Sequence, residues 1–208
     1  MAFQNDMTMM YVFHDALRRD LDCISRVTAR TDDDPKAILR TAAGWEMFQS
    51  YLHVHHSTED EMLWSPLRGV LSDDSYANAV FEAMEAEHAR INPLLDAIDA
   101  ALVDRDSGPA RLGELVDDLV SGLRSHLDHE EKEGLPVIDS AITAEQWQAF
   151  SAAGAKQLSG DVSRLMPWML DGAAPDVTAS VLGLLPPPVL EAYRDQWRPG
   201  YATLRRWG

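Results

Sequence analysis

Apolar side chains return along this chain at three- and four-residue steps, with no stretch in the two-residue alternation of a half-buried strand, so the pattern predicts an all-α protein. Over residues 7–30 the stripe is Met7, Met10, His14, Leu17 and Leu21. Asp32-Asp33-Asp34-Pro35 then reads as a stop and a restart, with Asp34 as N-cap and Pro35 in the first turn, where its missing N–H costs nothing. A second helix is expected over residues 35–65, closed or kinked by Pro66, with Phe48, Leu52 and Met62 on its inner face. Ser72-Asp73-Asp74 caps a third, whose stripe is Phe81, Met84, His88, Ile91, Leu95, Ile98 and Leu102. A loop from Asp104 to Pro109 leads to a fourth, with Leu112, Leu115, Leu119, Leu123, His126 and Glu130 inward.

Long amphipathic helices joined by short loops make an up-down-up-down four-helix bundle the simplest topology, here assigned to residues 1–142. Thr143-Ala144-Glu145-Gln146 fits a capping box and opens a shorter helix to about Leu158. Beyond it proline becomes frequent, at Pro167, Pro175, Pro186 to Pro188 and Pro199, and only short helical pieces are expected, at 161–170, 176–184 and 187–196. Residues 143–208 are thus read as a C-terminal helical extension packed on the bundle, with Trp168, Trp197 and Trp207 as anchors. Such a segment covers a bundle end or forms a homodimer contact.

The inner stripes are not purely apolar, and that changes the picture. Residues four apart in a helix lie about 40° apart and about 6 Å along the axis, so His55 and Glu59 project from one face. His126 and Glu130 repeat the spacing, a proline follows each pair at Pro66 and Pro136, and each pair is preceded by one striped histidine: His14, 41 residues before His55, and His88, 38 before His126. A bundle brings these six side chains to one depth. A buried carboxylate is costly unless paired or bound to metal, and imidazole plus carboxylate is a set that iron, manganese or zinc accepts. Four histidines and two glutamates suit two ions better than one. If the glutamates bridge, each ion receives two imidazoles and keeps an open position, which favours iron or manganese over tetrahedral zinc. The Glu-x-x-His order of ferritin-like bundles is absent.

Rival ligands exist. His56 with Asp60 repeats the spacing one residue out of register, and His53, His129 and Glu131 are within reach in sequence. The His55 and Glu59 register is preferred because it shares the apolar stripe. His129, Glu133, Glu85 and Tyr51 are candidates to orient the imidazoles.

Composition narrows the class. Of 208 residues, 46% are hydrophobic and 25% charged, a globular balance. The formal charge of −16 argues against nucleic acid as partner. Residues 160–208 hold five basic and five acidic side chains, so the excess lies wholly in residues 1–159. No apolar run suits a membrane span, the N-terminus lacks signal-peptide features, and a single cysteine, Cys23, read as a buried structural thiol, cannot form an intrachain disulfide. A cytoplasmic location with no membrane partner is expected.

The order His, His-x-x-x-Glu, His, His-x-x-x-Glu resembles the hemerythrin-like, or HHE cation-binding, family over about residues 7–140, with HHSTEDEMLW and HLDHEEKEGLP resembling its two signature stretches. The resemblance implies a non-haem di-iron centre, with His14 and His55 serving one iron, His88 and His126 the other, and Glu59 and Glu130 bridging. Oxygen-carrying hemerythrins have a further histidine where Met84 stands, and space their last carboxylate as Glu131 is spaced. Those departures weaken reversible oxygen carriage and favour sensing or oxidation chemistry. The expected ligand is therefore dioxygen, peroxide or nitric oxide, and the alternatives are a binding or sensing protein, a peroxide-decomposing or oxidase enzyme, or a structural metal bundle acting through a protein partner.

Overall fold

A computed structural model of the protein describes residues 3–30, 34–104 and 109–207. The turn residues Asp32 and Asp33 and the loop residues 105–108 lie outside the described residues. No strand occurs among those described, and the chain folds as an all-α four-helix bundle carrying further short helices.

Helices α1 (Thr8–Thr28), α3 (Ala43–Glu59), α5 (Ser75–Val103) and α6 (Pro109–His129) form the bundle, with α2 (Pro35–Thr41) leading into α3. Their caps follow local chemistry. Asp34 accepts the amides of Lys36 and Ala37, and Asp74 those of Tyr76 and Ala77, satisfying N–H groups that the first turn leaves without partners. The stripes expected on α1 and α5 are buried throughout.

The second helix is not continuous. Ala42 is extended, at φ −75° and ψ 116°, and separates α2 from α3. Just beyond it the Gly44 amide donates to the Arg206 carbonyl at 3.0 Å, and a Cβ on Gly44 would meet the Trp207 ring at 2.6 Å. The break and the glycine together let the C-terminal end of the chain lie against α3.

Directly after Glu59, and again from Glu130 itself, the helix widens into a single π turn, at Asp60–Trp64 and Glu130–Gly134, before α4 (Ser65–Val70) and α7 (Leu135–Ala141). A third such turn, Tyr193–Trp197, precedes α12 (Arg198–Ala202). In all three cases proline, Pro66, Pro136 or Pro199, stands two residues beyond the turn. It lacks the N–H that the carbonyl four residues earlier would accept, and its ring crowds that carbonyl, so a wider turn relieves both. Pro93 sits within α5 without one, so proline alone does not dictate the turn. The extra residue shifts the helical phase: Leu63 and Trp64 are buried, while Met62, expected inward, is only partly so.

Beyond the bundle, Thr143 caps α8 (Ala144–Gln157) with a complete capping box. Then follow α9 (Val162–Leu170), α10 (Pro175–Gly183) and α11 (Pro187–Ala192). Helix α8 packs on α3, and α9 on α1. Trp168 is fully buried and donates its indole N–H to Asp20 of α1 at 2.6 Å. Arg19 donates to the Trp168 carbonyl, and Arg206 approaches Asp20 at 3.7 Å. Cys23, expected buried, is only partly so, because it lies on the side of α1 away from the core and receives a hydrogen bond from Arg26 at 3.0 Å.

The apolar interior falls into two clusters. One holds Leu17, Leu52, Ile91 and Leu123; the other holds Met10, Trp64, Met84 and Leu135. Along each bundle helix the polar residues His14, His55, His88 and His126 come between members of the two. The histidine layer is therefore sealed above and below by hydrocarbon.

Candidate metal centre

Every residue singled out by the stripes arrives at this layer. His14, Glu59, Glu130 and His126 have no exposure, His88 has 1% and His55 9%. They are joined by His56, which sequence reasoning treated as a rival and which is 2% exposed. The side chains sort into two groups whose ligand-type atoms lie within 4.8 Å of one another: His14, His55, Glu59 and Glu130 in one, His56, His88 and His126 in the other.

Tautomers can be assigned chemically. An ionised carboxylate only accepts, so an imidazole nitrogen bonded to one must carry the hydrogen. His14 Nδ1 donates to Glu131 at 2.9 Å, His88 Nδ1 to Asp60 at 2.8 Å and His126 Nδ1 to Glu87 at 2.9 Å. In the neutral ring, Nε2 is then left as a bare lone pair. Yet His14 Nε2 faces His55 Nε2 at 3.1 Å, and His88 Nε2 faces His126 Nε2 at 3.0 Å. Donor atoms about 3 Å apart are what neighbouring positions around an ion with ligand bonds of roughly 2.1 Å require.

The two carboxylates point the same way. None of the four oxygens of Glu59 and Glu130 has a hydrogen-bond partner, although both side chains are fully buried. Such groups cost several kcal/mol unless compensated. Glu59 Oε1 lies 3.3 Å from His55 Nδ1 in the first group, while its Oε2 lies 3.7 Å from His88 Nε2 in the second. Glu130 Oε2 stands 3.4 Å from His14 Nε2 and 3.7 Å from His126 Nε2. Both nitrogens of buried His56 also lack partners, and its ring stacks on His88 with centroids 3.8 Å apart. Unpaired buried carboxylates beside bare imidazole lone pairs fit bound cations.

Electrostatics agree. Burial, followed by the neighbouring imidazoles, holds His55 and His56 well below the ordinary histidine value, and burial lowers His126 against the pull of Glu87. These rings are neutral, the form that ligates. Burial and the adjacent Glu130 charge push Glu59 well above the ordinary carboxylate range. His14 is the exception: burial opposes its charge, but Glu130 and Glu131 overcome it and raise the value to about 9. His14 thus differs from the other rings in favouring its protonated form, and ligation by it requires loss of that proton.

The residues that orient the rings differ from those expected. Asp60, Glu87 and Glu131 hold the Nδ1 hydrogens, and Arg18 braces Glu131 at 2.7 Å. Glu85 pairs with Arg68, Tyr51 donates to Asp161, and His129 shares Glu87 without touching the buried cluster. The sequence signal for Asp60 was its place four residues after His56, which marked it as a rival ligand and not as an orienting acceptor. That for Glu87 was its place beside His88. His53 is exposed.

Comparison with known proteins places these residues in a wider context. The family described as hemerythrin HHE cation binding domain matches residues 5–138. A zinc finger protein BRUTUS-like of Arabidopsis thaliana is 23% identical over 190 residues, 85% of this chain and 15% of that protein. The chain thus spans about 15% of the length of that curated relative. No solved structure matches.

Proposed function

Since this chain belongs to the hemerythrin HHE cation-binding domain family, we propose that it holds two iron ions in the buried layer and there binds or reacts with dioxygen, peroxide or nitric oxide. His14 and His55 would hold one ion and His56, His88 and His126 the other, with Glu59 and Glu130 shared. The observation that carries this reading is the Glu59 carboxylate, whose two oxygens face different histidine groups at 3.3 Å and 3.7 Å. Manganese or zinc would suit the same donors, but shared carboxylates that give each ion more than the four ligands of tetrahedral zinc favour iron or manganese.

An iron pair with an open position supplies electron transfer to a small oxygen or nitrogen ligand. The chain supplies the rest. Asp60, Glu87 and Glu131 fix the imidazoles so that their lone pairs face inward, and the two apolar layers keep water from the site. Glu59 and Glu130 would neutralise cations that hydrocarbon could not accept. The division into a metal-binding bundle, residues 1–142, and a covering extension, residues 143–208, belongs to the same proposal.

The test is to load the protein with ferrous iron, add nitric oxide, dioxygen or hydrogen peroxide, and follow the visible spectrum and peroxide consumption. A stoichiometric spectral change abolished by Glu59→Ala is expected of a binding or sensing protein. Peroxide loss far beyond the amount of protein, equally abolished by Glu59→Ala, would instead make it an enzyme. No change with any of the three would overturn the reading.

A further inference from the structure

Between the bundle and the extension lies a cavity of about 380 Å³, walled by α1 and α3 on one side and by α8 and α9 on the other. This volume falls within the range of small-molecule sites, roughly 300–1,000 Å³. Its depth is formed by Met10, Phe13, Val54, Leu165, Met166 and Met169, and its inner wall includes the edge of His55. The rim is made by Asp6, Met9, Ser151 and Ala155, all exposed, and Met9 is 39% exposed despite its apolar side chain. Methionine is flexible and polarisable, so a lining with four of them adapts to an apolar occupant.

Three observations say that the space is kept rather than left over. Gly154 stands inside α8, where glycine disfavours the helix, yet the sole atom a Cβ there would meet is Thr58 Cγ2 at 4.0 Å. Packing does not demand the glycine; a larger side chain would enter the cavity. The mouth is held in shape by the Trp147 indole, which donates to the Asp6 carbonyl at 3.0 Å, and by Trp147 against Phe150. Finally, the sole charged lining side chain is Asp6, at the rim, in a protein of net charge −16. An anionic head group would be repelled there, and no cationic side chain lines the space; the Thr58 hydroxyl on its wall already donates to the Val54 carbonyl at 2.7 Å.

We propose that this cavity is a binding site for an uncharged, hydrocarbon-rich small molecule, assembled jointly by the bundle and the C-terminal extension. Phe13 stacks on His55 with ring centroids 4.8 Å apart, so an occupant lies against the outer face of the histidine layer. Of the proposed metal ligands only His55 reaches the cavity wall, and the test is run on the protein as purified and again after metal removal, so failure of metal loading would leave the proposal standing.

The probe is N-phenyl-1-naphthylamine, a neutral fluorophore that brightens in apolar surroundings, with n-decanol and decanoate as competitors. One saturable site per chain is expected, displaced by decanol and about tenfold less readily by decanoate. Gly154→Leu should weaken probe binding by about tenfold or more through occupied volume, with the melting temperature unchanged or higher. Ala155→Phe at the rim carries the same expectation should the first variant fold poorly. Absence of saturable binding, wild-type affinity in the folded variants, or equal displacement by decanoate would each overturn the proposal.

Discussion

The two His-x-x-x-Glu segments share their first and last residues and differ at the three between. His55-His56-Ser57-Thr58-Glu59 and His126-Leu127-Asp128-His129-Glu130 both end at a buried glutamate, enter a π turn and reach a proline. At the second position, however, His56 turns into the polar layer against His88, whereas Leu127 is buried in the apolar core. Adjacent residues of a helix point about 100° apart. The first segment therefore gives a histidine to each group, whereas the second gives a histidine to one and reaches the other only through Glu130. The inequality of the site, two histidines with two glutamates beside three histidines, rests on the difference at the second position.

Removing what the halves share should have the largest effect. Glu130→Ala takes away the carboxylate facing both His14 and His126. It is expected to abolish binding of both ions, read as metal per chain, and to remove the stabilisation that metal gives to melting. Glu59→Ala should behave the same way. If either variant kept full metal content, the shared-carboxylate geometry would be wrong.

Next comes His56→Leu, which makes the first segment match the second. It should lower metal content from two ions to one while the bundle stays folded, because both His56 nitrogens lack protein partners to lose. The reverse change, Leu127→His, should add no ion. It should instead destabilise the fold by about 1–3 kcal/mol, measured by denaturant melting, since the ring would enter hydrocarbon without a partner.

Substitutions behind the rings should be milder. Asp60→Ala and Glu87→Ala remove hydrogen-bond acceptors from His88 and His126, and each is expected to weaken metal binding about 10–100-fold, measured by competition with a chelator. The pair tests whether the second group is oriented as a unit, since each acts on one of its rings.

These layers were unequally legible in sequence. The inward stripes of α1, α5 and α6 could be read from period alone, as could His14, His55, Glu59, His88, His126 and Glu130, because each falls in register with leucine and methionine neighbours. His56 was legible only as a rival to His55, since its phase on an ideal helix puts it off the apolar stripe; it is buried because α5 brings His88 against that flank. The orienting roles of Asp60 and Glu87 were hidden for a related reason. Their role is set by which helix faces which, not by spacing within one. The break at Ala42 depended on a contact with residues more than 160 positions away, at Arg206 and Trp207.

The smallest effect on metal should come from the joint between α1 and α9, and it sets apart stability from ligation. Burial raises Asp20 to about 6, against the lowering pull of Trp168, Arg19 and Arg206. An acid whose folded value is raised favours the fold fully below its unfolded value near 3.8 and loses that contribution as pH rises through about 6. Asp20→Asn should therefore flatten the pH dependence of melting between about 4 and 7 and leave metal content unchanged. Altered metal content in that variant would tie the extension to the site more closely than the geometry does.

The central claim is that two ions share Glu59 and Glu130 with unequal sets of histidines. It is tested most directly by iron per chain in wild-type protein and His56→Leu, prepared side by side and quantified by elemental analysis. Two irons in the wild type and one in the variant are predicted. One iron or none in the wild type, or two in the variant, would contradict it.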